Sequence, residues 1–118
     1  MVRAPSDLDK PTRALWRDVQ AHLREQRTWT DADAGALHRY CLAVQTARVM
    51  RTAAEAEPWT TGSTGQLVAH PALKLAAEAD RDAARYAGDL LLTPAARKRA
   101  DLPHGHDDDG DPPAFQLS

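Results

Sequence analysis

A single cysteine, Cys41, leaves this 118-residue chain nothing with which to form an intrachain disulfide. Cys41 falls inside an apolar helical pattern, and a reduced, cytoplasmic setting fits it best. No apolar run approaches the roughly 18 residues of a membrane span, and Met1-Val2-Arg3-Ala4-Pro5-Ser6-Asp7 lacks the apolar stretch of a secretion signal. Those absences argue against insertion and export. Charge of one sign is missing too: 15 Lys+Arg stand against 17 Asp+Glu, which excludes a uniformly basic, histone-like protein. Catalytic signatures are absent. There is no P-loop, GxGxxG, GxSxG or HExxH. Cys41 has no catalytic His signature nearby, and the paired carboxylates sit mostly at helix starts or opposite basic residues. The chain reads as a non-enzyme that calls for no cofactor.

What remains is a single small domain. At 12.9 kDa and 42% hydrophobic residues it can enclose a modest core, and a domain of this size often leaves apolar surface for partner subunits. Asp107, Asp108, Asp109 and Asp111 concentrate near the C-terminus. The body up to Pro103 then carries 15 basic and 13 acidic residues, a net positive charge ahead of an acidic tail.

The pattern predicts a mainly α fold with three principal helices and a short fourth. Residues 1–9 read as a loose N-terminal arm, 10–103 as the helical domain and 104–118 as a disordered acidic tail. The first helix runs from Lys10 or Pro11 to Arg27, capped by Asp9, with Leu15, Trp16, Val19 and Leu23 on one side. Thr30 and two first-turn acids open the second, which spans about Asp31 to Glu57. It carries two apolar stripes. One holds Leu37, Tyr40, Cys41, Val44 and Ala47; the other, rotated by more than about 100°, holds Leu42, Val49 and Ala53. Two seams call for neighbours on two sides, and in so short a chain the second seam is read as an oligomer interface. Trp59-Thr60-Thr61 and Gln66-Leu67-Val68 flank a glycine turn, giving a small β-hairpin or an ordered loop. His70-Pro71 starts an alanine-rich third helix reaching about Leu91. Its Lys74–Glu78, Glu78–Arg81 and Asp82–Arg85 pairs have supporting helical spacings. Thr93-Pro94 starts the fourth.

The first helix carries the most informative charge pattern. Lys10, Arg13, Arg17, Gln20, Arg24 and Arg27 fall within an arc of roughly 100°, apart from the apolar side. Such a ridge can lie along phosphates, and Arg97, Lys98 and Arg99 add a second basic cluster. The plain alternative is a solvated face. His104-Gly105-His106 with the aspartates after it offers metal-ligand types but no frame, so no metal site is expected. The first two helices and their short turn also match a generic helix-turn-helix.

Several fragments in order resemble the small subunit of phage terminases, from about Ala14 to Leu102. Leu15-Trp16 with Leu23 is similar to the family's opening helix. Trp29-Thr30-Asp31-Ala32-Asp33 resembles its second-helix start, with Trp29 in place of an aliphatic residue. Tyr40-Cys41-Leu42-Ala43 and His70-Pro71-Ala72-Leu73 resemble two further stretches. Leu91-Leu92-Thr93-Pro94-Ala95-Ala96-Arg97 resembles the family's "G-L-T-P-x-s-R" signature, with Leu91 where glycine is common. The resemblance implies a non-catalytic packaging factor in the host cytoplasm. It would form a homo-oligomer, with a ring expected, bind double-stranded phage DNA and pass it to the large terminase subunit. The competing readings are a small helix-turn-helix transcription regulator or antitoxin, and a protein-interaction adaptor.

Overall fold

The computed structural model describes residues 2–57 and 59–100. Helix α1 (Lys10–Glu25) is followed by a single 3₁₀ turn (Asp31–Asp33) and the long α2 (Ala34–Ala56). Strands β1 (Trp59–Thr61) and β2 (Leu67–Ala69) form an antiparallel hairpin, with Thr60 opposite Val68. Helices α3 (Pro71–Asp89) and α4 (Pro94–Arg99) complete the described chain. The expected mainly helical order holds, and the β-prone runs form strands rather than a loop. In the hairpin turn Gly62 N–H donates to the Gln66 carbonyl at 2.7 Å, and Gly65 takes φ +89°, a conformation that favours glycine.

Local chemistry sets the helix starts. The Asp9 carboxylate accepts the Thr12 N–H at 3.1 Å, and the Thr93 hydroxyl accepts the Ala96 N–H at 3.1 Å. The Asp33 carboxylate reaches back to the Thr30 N–H at 2.9 Å. Asp9 also receives a short hydrogen bond from Arg48 of α2. That guanidinium first, and the Thr12 hydroxyl second, hold the Asp9 carboxyl down at about 2.

The core gathers at one end. Trp16, Val19 and Leu23 of α1 meet Leu37, Tyr40, Cys41 and Ala43 of α2 and Ala83 and Ala87 of α3; Leu8, Leu90 and Leu92 close the cluster. Burial pushes the Cys41 thiol up to about 12, so it packs as an inert apolar group. Beyond this cluster α2 and α3 continue as a two-helix arm. Its buried residues are all alanines: Ala47, Ala54, Ala72, Ala76 and Ala79. Small side chains let the two backbones approach closely but remove little apolar area from water. An Arg51–Asp80 ion pair bridges the arm. Among the described residues the expected α3 pairs reduce to Asp82–Arg85 at 3.7 Å. The second α2 stripe divides: Leu42 is partly buried against the core of its own chain, whereas Val49 and Ala53 are exposed.

The segment read as a loose arm is docked in the structure, which corrects that expectation. Leu8 is 1% exposed. The Asp9 N–H donates to Gln45 Oε1 at 2.8 Å, and Trp16 Nε1 donates to the Val2 carbonyl at 3.2 Å. The Gln20 side-chain amide, oriented with its oxygen toward the Val2 N–H (3.1 Å) and its nitrogen toward the Val2 carbonyl (3.2 Å), pairs with that residue's backbone twice. A buried glutamine needs such partners, and the N-terminal segment supplies them. Residues 101–118, including the expected acidic tail and its His104–His106 stretch, lie outside the described residues.

Candidate nucleic-acid interface

The ridge of α1 emerges changed in two places. Gln20, placed on it by helical spacing, is 1% exposed and belongs to the core. Arg27 lies beyond the helix, whose last residue is Glu25. Arg17, Arg24 and Arg27 are exposed, and among the described residues none of them forms an ion pair. Arg13 differs. It is partly buried, and its guanidinium donates to the Leu8 carbonyl.

α1 stops through a Schellman turn. Thr28 N–H donates to the Leu23 carbonyl and Arg27 N–H to the Arg24 carbonyl, both at 3.0 Å, with Arg27 at φ +63°. α3 ends in the same way, with Leu91 at φ +61° and Leu92 N–H donating to the Ala87 carbonyl at 2.9 Å. Gln26 ties the two turns together by donating to the Leu91 carbonyl at 3.2 Å. Both left-handed positions are held by residues with a Cβ, where glycine carries no steric penalty. Arg27→Gly is therefore expected to raise stability by about 0.5–1 kcal/mol, after allowing for the greater freedom of glycine in the unfolded chain. Thermal unfolding checks this, and a lower Tm would mean that the arginine side chain holds the turn.

The second basic cluster sits elsewhere. Arg97 of α4 is partly buried, its Nη1 has no hydrogen-bond partner among the described residues, and its charge acts on His22 of α1. His22 is held below its ordinary pKa by burial first and by Arg97 second. At 100° per residue His22 lies about 140–160° around α1 from Arg17 and Arg24. α4 thus approaches α1 on the flank away from the ridge, so the two basic clusters do not merge into one surface. Lys98 and Arg99 are exposed.

At the α1–α2 turn, Arg24, Arg27, Trp29 and Asp31 line an open concavity of about 310 Å³. Trp29 is partly buried against the core, and its Nε1 donates to Asp31 Oδ1 at 3.2 Å. Sequence spacing singles out the two arginines but not Trp29 or Asp31 as their neighbours. A signal exists in the adjacency of a tryptophan to the helix break, but only the left-handed turn brings these residues into one wall. Among the described residues no group of three or more His, Cys, Asp or Glu is placed to hold a metal ion, and no helix is long and apolar enough to cross a membrane.

No curated protein and no solved structure matches the chain. A family model described as phage terminase, small subunit, matches residues 12–107. That span takes in all but the first two residues of α1, the Trp29 turn, the α2–α3 arm with its hairpin, and α4. The chain belongs to the phage terminase small-subunit family.

Proposed function

We propose that this chain is a non-catalytic DNA-packaging factor whose copies associate, engage duplex phage DNA and deliver it to the large terminase subunit in the host cytoplasm. The observation that carries the reading is the company the arginines keep. Arg48, Arg51 and Arg85 are each matched by an aspartate. Arg17, Arg24 and Arg27 follow one another along α1 and the turn after it, Arg24 and Arg27 lining one concavity, and, like the scattered Arg3, Arg39 and Arg81, they have no such match among the described residues. Clustered, unmatched guanidinia repel one another, and a line of phosphates relieves that repulsion.

These three residues lead the proposed DNA contacts, with Lys98 and Arg99 as a separate outlying pair. Arg13 and Arg97 rank lower because their own chain partly covers them. Val49 and Ala53 are proposed for the contact between copies, Leu42 only through its exposed part. A ring would repeat each weak patch around its circumference, so avidity substitutes for strong binding by one subunit.

Light scattering of the purified chain should give a mass of several subunits. Fluorescence anisotropy with duplex DNA should show binding that weakens steeply with salt. Replacing Arg17, Arg24 and Arg27 together by Gln should lower affinity and flatten the salt dependence, the slope falling by about 0.9 for each phosphate left without its arginine. A monomer indifferent to duplex DNA at low salt would refute the reading. A stable dimer that binds DNA would favour the transcription-regulator alternative.

A further inference from the structure

We propose that the surface made by Arg24 and Arg27 is taken, in the absence of DNA, by the chain's own acidic run Asp107-Asp108-Asp109-Gly110-Asp111, which duplex DNA displaces when it binds. This rests on the DNA-binding reading above and adds to it a competitor carried by the same polypeptide. The run lies outside the described residues; its charge and its reach point to this surface.

Charge comes first. Arg24 and Arg27 line one open concavity, are exposed, and have no ion-pair partner among the described residues. Asp31 stands in the same wall, where its carboxylate accepts Trp29 Nε1–H at 3.2 Å, so the wall already accommodates one carboxylate and still holds two cations. The planar fork of donors that suits phosphate oxygens suits carboxylate oxygens equally. Up to Pro103 the chain carries 15 basic and 13 acidic residues, and Asp107, Asp108, Asp109 and Asp111 reverse the sign of that balance within five positions.

Reach decides which acids can arrive. Gln26, directly after α1, donates to the Leu91 carbonyl at 3.2 Å, and α4 starts three residues further on at Pro94. Arg97 of α4 acts on His22 of α1, so α4 lies beside the last turns of α1. From Arg99, which ends α4, Asp107 is eight residues away and Asp111 twelve. At about 3.3 Å per extended residue those stretches span up to about 26 and 40 Å. The two arginines are on the other flank of α1, and half the circumference of a helix about 10–12 Å across is only about 15–19 Å. The run therefore reaches Arg24 and Arg27 of its own chain with length to spare. A segment tethered so close has an effective concentration in the millimolar range, which lets individually weak carboxylate contacts form.

The test uses the full-length chain and its variant with Asp107, Asp108, Asp109 and Asp111 all replaced by Asn. By anisotropy at about 50 mM salt, the Asn variant should bind duplex DNA at least about threefold tighter, the factor expected when the run covers the arginines about two-thirds of the time. The gap should close as salt is raised, because both contacts are ionic. Arg24→Gln combined with Arg27→Gln should weaken binding by a smaller factor in the parent than in the Asn variant, since in the parent the run already occupies those side chains. Equal factors would mean that the run acts through overall charge alone, and they overturn the proposal, as does an affinity unchanged by the four substitutions. A second readout needs no DNA. In nuclear magnetic resonance of the isotope-labelled chain, the Nε–H signals of Arg24 and Arg27 should differ between parent and Asn variant. Unmoved signals overturn the proposal and leave the DNA-binding reading standing. Signals that move in a chain indifferent to duplex DNA at low salt would place the run on the arginines and strike the packaging function instead.

Discussion

Replacing Trp16 by alanine is expected to lower unfolding free energy by about 3–5 kcal/mol, measured by urea denaturation. The ring is 1% exposed and stands among Val19, Leu23, Leu37 and Tyr40. Its removal leaves a cavity that helices anchored by their own hydrogen bonds cannot fully close. It also takes away the Nε1 donor that holds the Val2 carbonyl, and with it one of the fastenings of residues 2–9. Small domains are stable by only about 5–15 kcal/mol, so the variant should be partly unfolded at temperatures that leave the parent intact. A loss under about 1 kcal/mol would mean that α1 separates from the body without consequence.

Ala83→Glu should be as severe. Ala83 is fully buried on α3 and belongs to the core cluster beside the α1 and α2 residues. A longer side chain must push the helices apart, and among the described residues the cluster its carboxylate enters holds no Lys, Arg or His. We expect a loss of about 3–5 kcal/mol near neutral pH, comparable to leaving one charge buried and uncompensated. Burial raises the folded-state pKa of such a carboxyl, so the penalty should ease as pH falls and the side chain takes up a proton. Ala84→Glu, one residue along and exposed, should change stability by less than about 0.5 kcal/mol. Denaturation of both variants at pH 5 and pH 8 provides the check. Equal losses at the two positions would mean that α2 and α3 are not packed through this face.

Much of this architecture is readable in the residues themselves. Asp9, Thr30 and Thr93 announce helix starts because a short polar side chain there answers a backbone N–H that the helix leaves open. The spacing of Trp16, Val19 and Leu23 marks the buried side of α1, and the threonine-rich runs around the glycines become strands. The N-terminal segment misleads for a physical reason. Its proline and charges look like solvated chain, yet Val2 and Leu8 pack against the core, and one partner of its backbone is Gln20, which spacing assigns to the ridge. Arg13 and Arg97 look identical to Arg17 in a sequence, because nothing in a one-dimensional pattern tells which guanidinium its own fold will cover. The Trp29 concavity depends on one left-handed residue, Arg27, of a type that gives no warning of that conformation.

The alanine-lined arm also fixes a separation. α2 alone spans about 35 Å at 1.5 Å per residue, in a molecule 56 Å long. Asp9 lies against Gln45 and Arg48, so α1 runs back along the first half of α2 and leaves the remainder to α3. Trp59, Leu67, Leu73 and Leu75, all prominently exposed, crown that far extremity, while Arg24 and Arg27 occupy the opposite one. Across such a span, several times the Debye length at physiological salt, an acidic visitor at one pole neither shields nor crowds the other. The polypeptide is a two-ended strut that keeps an exposed apolar tip and a cationic foot apart.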